Sequence, residues 1–266
     1  MFDALGVEAK TGWRVVARRV LASTNDVAAA LADGGPVDRV VVVADRQTAG
    51  RGRGGNRFAS PPGGLYASLL ARVRVDDLPA ALVAAAAVAL AEAVEAVAGV
   101  AAQVKWPNDV WIAGRKVAGI LVESSGAGTG SAEQTAGIAS VVVGIGVNLR
   151  DVPKGLPADV RRATTALDAH AKSPVSREAL LAELLPRFDR RLASLRDSVG
   201  RASLERDFRS RMALIGEPVT CLAAETPRSG VLKDVSLERG LLVEEAGGAR
   251  SWLPMAHVRD LRRDGP

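Results

Sequence analysis

Between Gln47 and Phe58 the chain reads QTAGRGRGGNRF, four glycines threaded among three arginines with almost nothing apolar between them. Glycine reaches backbone angles closed to other residues and lets the main chain come close to a ligand. Arginine adds a planar, permanently charged fork that matches carboxylate and phosphate geometry. A loop of both can close over an anionic small molecule with main-chain N–H and guanidinium groups together. The alternative is a disordered Arg-Gly tract that binds RNA loosely. The flanks argue against it. Residues 40–44 read as a buried strand entering the loop and residues 65–75 as a strand leaving it, so the segment is pinned like a ligand lid.

A second constellation is Lys105-Trp106-Pro107-Asn108-Asp109. Proline cannot donate to a strand ladder, so regular pairing should break at Pro107 and aim a cation, an amide and a carboxylate at one place. That set suits a nucleoside triphosphate, with Lys105 on phosphate oxygens and Asp109 on Mg²⁺ directly or through water. A Pro-containing turn capped by its own Asn and Asp fits equally well, and local sequence favours neither. Next comes RKVAGILVE, residues 115–123, where Lys116 opens an otherwise apolar strand and Gly119 leaves one point of close approach. A lysine there can meet charge developing on a phosphate; taken alone, it is more simply an exposed strand-end residue. Asn148 closes GIGVN with an amide that suits a base or ribose, or an ordinary turn. This is no dinucleotide fingerprint, since the third glycine and the following helix are missing, and no GxxxxGK[ST] loop occurs.

These groups need a scaffold, and 266 residues at 48% hydrophobic can bury one large domain plus a small one. The net charge of +5 comes without any run of five or more like charges, which suits a nucleotide substrate or an acidic protein partner and argues against a nucleic-acid tail. Cys221 is the only cysteine, and His170 and His257 are the only histidines. A disulfide, a Cys-based metal site and a Ser-His or Cys-His nucleophile pair are therefore disfavoured, and Cys221 reads as a small buried strand residue. No signal peptide is apparent, and the Ala-rich stretch 80–98 carries Glu92 and Glu95, so it reads as a packed helix of a cytoplasmic protein.

The expected elements are a strand over 13–20, a helix over 27–31 with Ser23-Thr24-Asn25-Asp26 as its cap and Gly34-Gly35 as its stop, and the Ala-rich helix. Residues 104–112 and 117–123 read as two strands joined by a turn at 113–115. Residues 124–137 read as a Gly/Ser/Thr-rich surface loop, and 140–147 as a strand. Helices follow over 177–199 and 203–215, with Pro186 kinking or dividing the first. From Gly216 short β runs at 219–223, 230–235, 240–244 and 251–254 predict a small barrel. The fold expected is α+β: a mixed β-sheet with packed helices over 1–215, plus a C-terminal SH3-like β-barrel over 216–266.

Taken in order, STN, QxxGRGRG, KWPND, KVAGILVE and GIGVN resemble the biotin protein ligases over residues 23–148, and that family also carries a C-terminal barrel. The resemblance implies that the biotin carboxylate attacks the α-phosphate of Mg·ATP, giving biotinyl-5′-AMP and pyrophosphate. A lysine amine on a biotin carboxyl carrier domain of an acyl-CoA or pyruvate carboxylase then attacks the mixed anhydride and releases AMP. It implies that Ser23, Thr24, Asn25, Gln47, Arg51, Gly52, Arg53, Lys116 and Gly119 face biotin. Arg53, Arg57, Phe58, Lys105, Asn108, Lys116 and Asn148 serve ATP or the adenylate. Lys116, Arg53 and Asp109 are the catalytic groups, with Asp109 also meeting the metal. The family pattern GRGRxGRxW is broken by Asn56 and Phe58; Arg57 offers a neighbouring charge, and Phe58 a ring that can stack on adenine but lacks the indole N–H.

About twenty residues precede Ser23, too few for the helix-turn-helix of bifunctional members, so a ligase-only chain without DNA binding is expected, as a monomer or weak homodimer. A lipoate or octanoyl transferase shares the fold and is the enzyme alternative, disfavoured by the intact GRGRG and KWPND. A biotin-sensing or nucleic-acid-binding regulator is the non-enzyme alternative.

Overall fold

The computed structural model describes residues 2–35, 37–74, 79–125 and 137–264. Strands β1 (Arg14–Leu21), β2 (Val40–Gln47), β3 (Leu65–Arg74), β4 (Gln103–Lys105), β5 (Asp109–Ile112), β6 (Arg115–Ser125) and β7 (Ile138–Val147) form one sheet in the order β1-β2-β3-β7-β6-β5-β4. Only β1 and β2 run parallel, so the sheet is mixed.

Alternation along β2 explains how the sheet is covered. Val41 and Val43 join the main core, whereas Val40 and Val42 join a second cluster with Ala28, Leu70 and Val142. Successive side chains point to opposite faces, so a run of valines needs apolar partners on both. One face carries helix α1 (Ala4–Thr11) and helix α3 (Pro79–Ala98); the other carries α2 (Thr24–Asp33). Helix α2 starts where expected, with the Ser23 hydroxyl accepting the Asn25 N–H at 3.2 Å. Among the described helices α3 alone is long and apolar enough to cross a membrane, yet 72% of its most apolar stretch is buried inside the molecule. Its alanines let the helix lie close to both the sheet and a neighbouring helix.

Several expectations are corrected. Residues 104–112 are not one strand: β4 and β5 form a hairpin that pairs Lys105 with Asp109 and turns at Trp106-Pro107-Asn108. Proline has no N–H to give a ladder, and Trp106, 1% exposed and edge-on to Phe208, anchors the turn in the core. Ser124 and Ser125 continue β6; the rest of the expected surface loop, 126–136, lies outside the described residues, as does Val75. After helix α4 (Ala158–Arg162), helix α5 (Arg177–Ala193) continues past Pro186, so the proline does not divide it. Leu180, Leu181, Leu184, Leu185 and Phe188 give it one continuous buried face across the proline, and that packing outweighs the lost hydrogen bond. The break falls at Ser194–Arg196 instead, and Asp197 caps helix α6 (Ser198–Ser210) through the Gly200 N–H.

The C-terminal strands are β8 (Pro218–Ala223), β9 (Thr226–Ser236), β10 (Gly240–Glu244), β11 (Arg250–Leu253) and β12 (Val258–Arg263), antiparallel in the order β11-β10-β9-β8-β12. Strand β12 was not expected. Its buried residues, Val258 and Leu261, lie three apart because pairing with β8 is irregular between Arg259 and Arg262, so period-two alternation is lost. Cys221 is buried on β8, as expected, and burial pushes its thiol pKa up.

Leu90, fully buried at the centre of α3, tests this packing. Leu90→Ala is expected to lower the unfolding free energy by about 2–5 kcal/mol in urea titrations. A loss below about 1 kcal/mol would mean that α3 does not sit in the core as described.

Candidate active site

A cavity of about 550 Å³ opens where α2 begins, bounded by the Gly/Arg loop, the KWPND hairpin, β6, β7 and the start of β12. Its floor is Gly119 of β6 with Gly144 and Gly146 of β7, all on one face of the sheet. A Cβ at Gly144 would fall inside van der Waals contact of the Asn25 amide, and one at Gly146 inside that of the Phe58 ring. The missing side chains are what let these two residues reach the floor.

One end of the cavity is neutral and polar. The Gln47 Oε1 accepts the Thr24 N–H at 2.8 Å and the Thr24 hydroxyl at 3.1 Å, while its Nε2 donates to Ser60 Oγ at 2.9 Å. Ser68, fully buried on β3, donates to Asn25 Oδ1 and lies 2.7 Å from Thr24 Oγ1. Asn25 Nδ2 donates to Glu123 Oε2 at 2.5 Å. Every side chain here is fixed by another, which suits recognition of a ligand rich in amide-like groups.

The Gly/Arg loop is a closed hairpin. Gln47 N–H donates to Ser60 C=O, Phe58 N–H to Gly50 C=O at 2.9 Å, and Gly52 N–H to Asn56 C=O at 2.7 Å. A 3₁₀ turn at Arg53–Gly55 forms the tip, where φ of 66° at Gly54 and 79° at Gly55 demands glycine. Asn56 closes that turn by donating its Nδ2 to the Arg53 carbonyl at 2.9 Å. Arg51 pairs with Asp26 and, at 3.0 Å, with Glu123; hydrogen bonds to Glu123 and then Asp26 hold its pKa above the ordinary value. Arg53 turns to the C-terminal sheet, donating to the carbonyls of Val258 at 3.2 Å and Met255 at 3.3 Å. Burial, then the charge of Arg259, lowers its pKa. Arg57 donates to the Thr48 carbonyl at 3.3 Å.

The other end is cationic. Lys116 Nζ lies 2.6 Å from Asp109 Oδ1 and 6.0 Å from the Phe58 ring centre. A bulge places it there. Val110 pairs with Ala118 but Trp111 with Lys116, so Val117 is the extra residue, and Val117 and Ala118 both face the core. That two-residue step brings Lys116 to the same face as Gly119. Its backbone is fixed from the other side by Lys116 N–H to Ala163 C=O and Thr165 N–H to Lys116 C=O, each 2.8 Å. Lys105 lines the same end, its pKa lowered first by burial and further by Lys116, with Asp109 and Asp260 opposing. Asn108 also lines the cavity and donates to the Ile120 carbonyl at 2.6 Å.

The Biotin/lipoate A/B protein ligase family model matches residues 16–148, half of the chain. The chain belongs to this family. It is 35% identical over 221 residues to the "Biotin--[acetyl-CoA-carboxylase] ligase" of Paracoccus denitrificans, covering 82% of this chain and 88% of that protein. It is 33% identical to the Mycobacterium tuberculosis protein of the same name, covering 96% and 92%. The structure of "Biotin protein ligase from Aquifex aeolicus in complex with biotin and ATP" superposes with a TM-score of 0.79 at 26% identity, covering 94% of this chain and 99% of that one.

In this ligase-family member the structure brings Ser23, Thr24, Asn25, Gln47, Arg51, Gly52, Arg53, Arg57, Phe58, Lys105, Asn108, Asp109, Lys116 and Gly119 around one cavity. Asn148 stands apart. It is 5% exposed, does not line the cavity, and gives its Nδ2 to the Thr165 carbonyl at 3.2 Å. The described residues hold no cluster of three or more His, Cys, Asp or Glu able to bind a metal; Asp109 and Asp260 are the lining carboxylates. Sequence reasoning missed Ser68, the floor roles of Gly144 and Gly146, and the wall formed by Val258, Arg259 and Asp260. The GIGVN glycines carried a signal for the floor; nothing in VRDLRR did for the wall.

Because burial favours the neutral amine of Lys105, binding of a polyphosphate should weaken as pH rises through a pKa below that of an ordinary lysine. Calorimetric ATP titrations from about pH 7 to 10 are expected to show this decline in wild type. Lys105→Arg, charged throughout, should flatten it. An identical decline in both proteins would clear Lys105.

Proposed function

We propose that this chain joins biotin to ATP as biotinyl-5′-AMP and transfers the biotinyl group to one lysine of a biotin carboxyl carrier domain. The observation that carries this is the continuity of one cavity from a pre-fixed polar pocket at Ser23–Asn25 to a cationic end at Lys105 and Lys116, in a chain a third identical to proteins named as such ligases. In the first step a biotin carboxylate oxygen forms a bond to the α-phosphorus and pyrophosphate leaves. In the second the lysine amine attacks the acyl carbon, AMP departs with the bonding electrons of the anhydride, and the amine loses a proton. No enzyme nucleophile is needed. The chain's task is to hold two anions side by side and keep water from their product.

Ser23, Thr24, Asn25 and Gln47 hold the biotin ring system, with the backbone of Arg51 and Gly52 and the open floor at Gly119 along it. Lys116 stands where carboxylate and α-phosphate meet and is the principal electrostatic catalyst. Asp109 orients it through their 2.6 Å pair, and its carboxylate would help hold the Mg²⁺ that neutralises the phosphates of ATP. Lys105, Asn108, Arg57 and Phe58 serve the nucleotide. Asn148, with one side of its amide already taken by Thr165, serves it less directly. Residues 1–215 form the catalytic domain and 216–266 a small domain that closes the nucleotide end, a division supported by the two separate sheets, β1–β7 and β8–β12. ATP dependence fits a cytoplasmic enzyme. The decisive assay is ATP–pyrophosphate exchange. Exchange driven by lipoate or octanoate but not biotin would overturn the assignment within the family.

Lys116→Ala is expected to slow exchange by roughly 10²–10³, with biotin binding weakened less than the rate. Near-normal exchange would remove Lys116 from the catalytic role.

Arg53→Gly removes both bonds from the loop tip to the Met255 and Val258 carbonyls. Adenylate should then escape roughly ten- to a hundredfold faster, since hydrogen bonds from a charged donor are the strong class. The readout is a streptavidin blot with albumin present: the variant should label albumin, and wild type only the carrier. A variant that makes adenylate and labels no bystander would place retention elsewhere.

A further inference from the structure

Glu123 lies beyond the cavity lining, yet its Oε2 accepts from two groups that the site depends on. One is the Asn25 amide at 2.5 Å; the other is the Arg51 guanidinium at 3.0 Å. Asn25 is buried, and its two amide ends are distinguishable only by partners: Ser68 donates to Oδ1, and Glu123 accepts from Nδ2. A carboxylate can only accept, so it dictates which way this amide points. Ser68 alone cannot, since a hydroxyl both donates and accepts. The same oxygen ties the loop residue Arg51 to β6, with Asp26 at the head of α2 as its second anchor.

We propose that Glu123 is a positioning residue for the biotin half of the site: one carboxylate oxygen orients Asn25 toward the ligand and fastens the entering limb of the Gly/Arg loop to the floor. The position follows from the sheet. Gly119, Leu121 and Glu123 alternate onto one face of β6, so the strand that supplies floor and lining also carries the anchor two residues further on. Its partners there are Asn25 and Arg51, and Glu123 is partly exposed, so the core does not depend on it.

This rests on Asn25 facing biotin, and the experiment separates the two ideas. Pyrophosphate exchange is measured against biotin concentration for Glu123→Ala, Glu123→Gln, Asn25→Ala and the Glu123→Ala/Asn25→Ala double variant. Glu123→Ala should raise the biotin KM about tenfold, the scale of one hydrogen bond to a charged group, and leave kcat within about threefold. Glu123→Gln retains an oxygen acceptor but loses the charge and the accept-only character, and should recover only part of the KM. The double variant should exceed Asn25→Ala by clearly less than the full Glu123→Ala effect, because with Asn25 gone only the Arg51 anchor is left for Glu123 to hold. Additive effects, or a Glu123→Ala loss in kcat with KM unchanged, would overturn the proposal. Asn25→Ala with a normal KM would instead overturn the assignment of Asn25 to biotin, and the proposal with it.

Discussion

A sheet covered by helices on both faces has no room for a ligand unless side chains are withdrawn from part of one face, and this molecule withdraws them at three adjacent glycines. Where α2 ends its cover of the sheet, Gly119, Gly144 and Gly146 leave bare backbone, and Asn25 and Phe58 descend onto it. The rest of the site is arranged around that gap. The head of α2 supplies one wall because its N-cap must sit at the edge of the gap. The loop after β2 closes over the top because its strand ends beside the same edge.

Charge is partitioned to match. At the neutral end, amides and hydroxyls are locked in a relay from Ser60 to Gln47, Thr24, Ser68 and Asn25. At the other, two lysines share the influence of Asp109, which lowers the cost of keeping like charges together in a half-buried place. The three loop arginines, which by sequence looked like the anion-binding groups, are largely engaged by the protein itself. Arg51 is held by two carboxylates, Arg53 by carbonyls of the C-terminal segment, and Arg57 by the Thr48 carbonyl. Much of their work is therefore mechanical: they fasten a glycine-rich hairpin that would otherwise open.

Some of this was legible in the chain because it depends on local rules. Ser23 as a cap, Val40 as the start of a two-sided strand and the glycine-demanding loop tip all follow from neighbours in sequence. What was hidden depends on partners far along the chain. The bulge at Val117 changes which way Lys116 points, and only pairing with β5 reveals it. Pro186 reads as a helix break until the leucine face that spans it is set against α3. VRDLRR shows no alternation until its irregular pairing with β8 is known. Asn148 resembles a ligand-facing amide, and its bond to Thr165 comes from a segment with no motif at all.

The glycine floor also sets a direction for divergence. A residue without a side chain can only gain atoms, so every substitution at Gly144 or Gly146 makes the chamber shallower, and none makes it deeper. A descendant enzyme could readily come to accept a thinner substrate, or none, through one replacement there. Accepting a bulkier one would have to begin elsewhere, at a wall such as Leu121 or at the ring of Phe58, where there is still matter to remove. The depth of the chamber is thus a limit already reached, while its width remains open to selection.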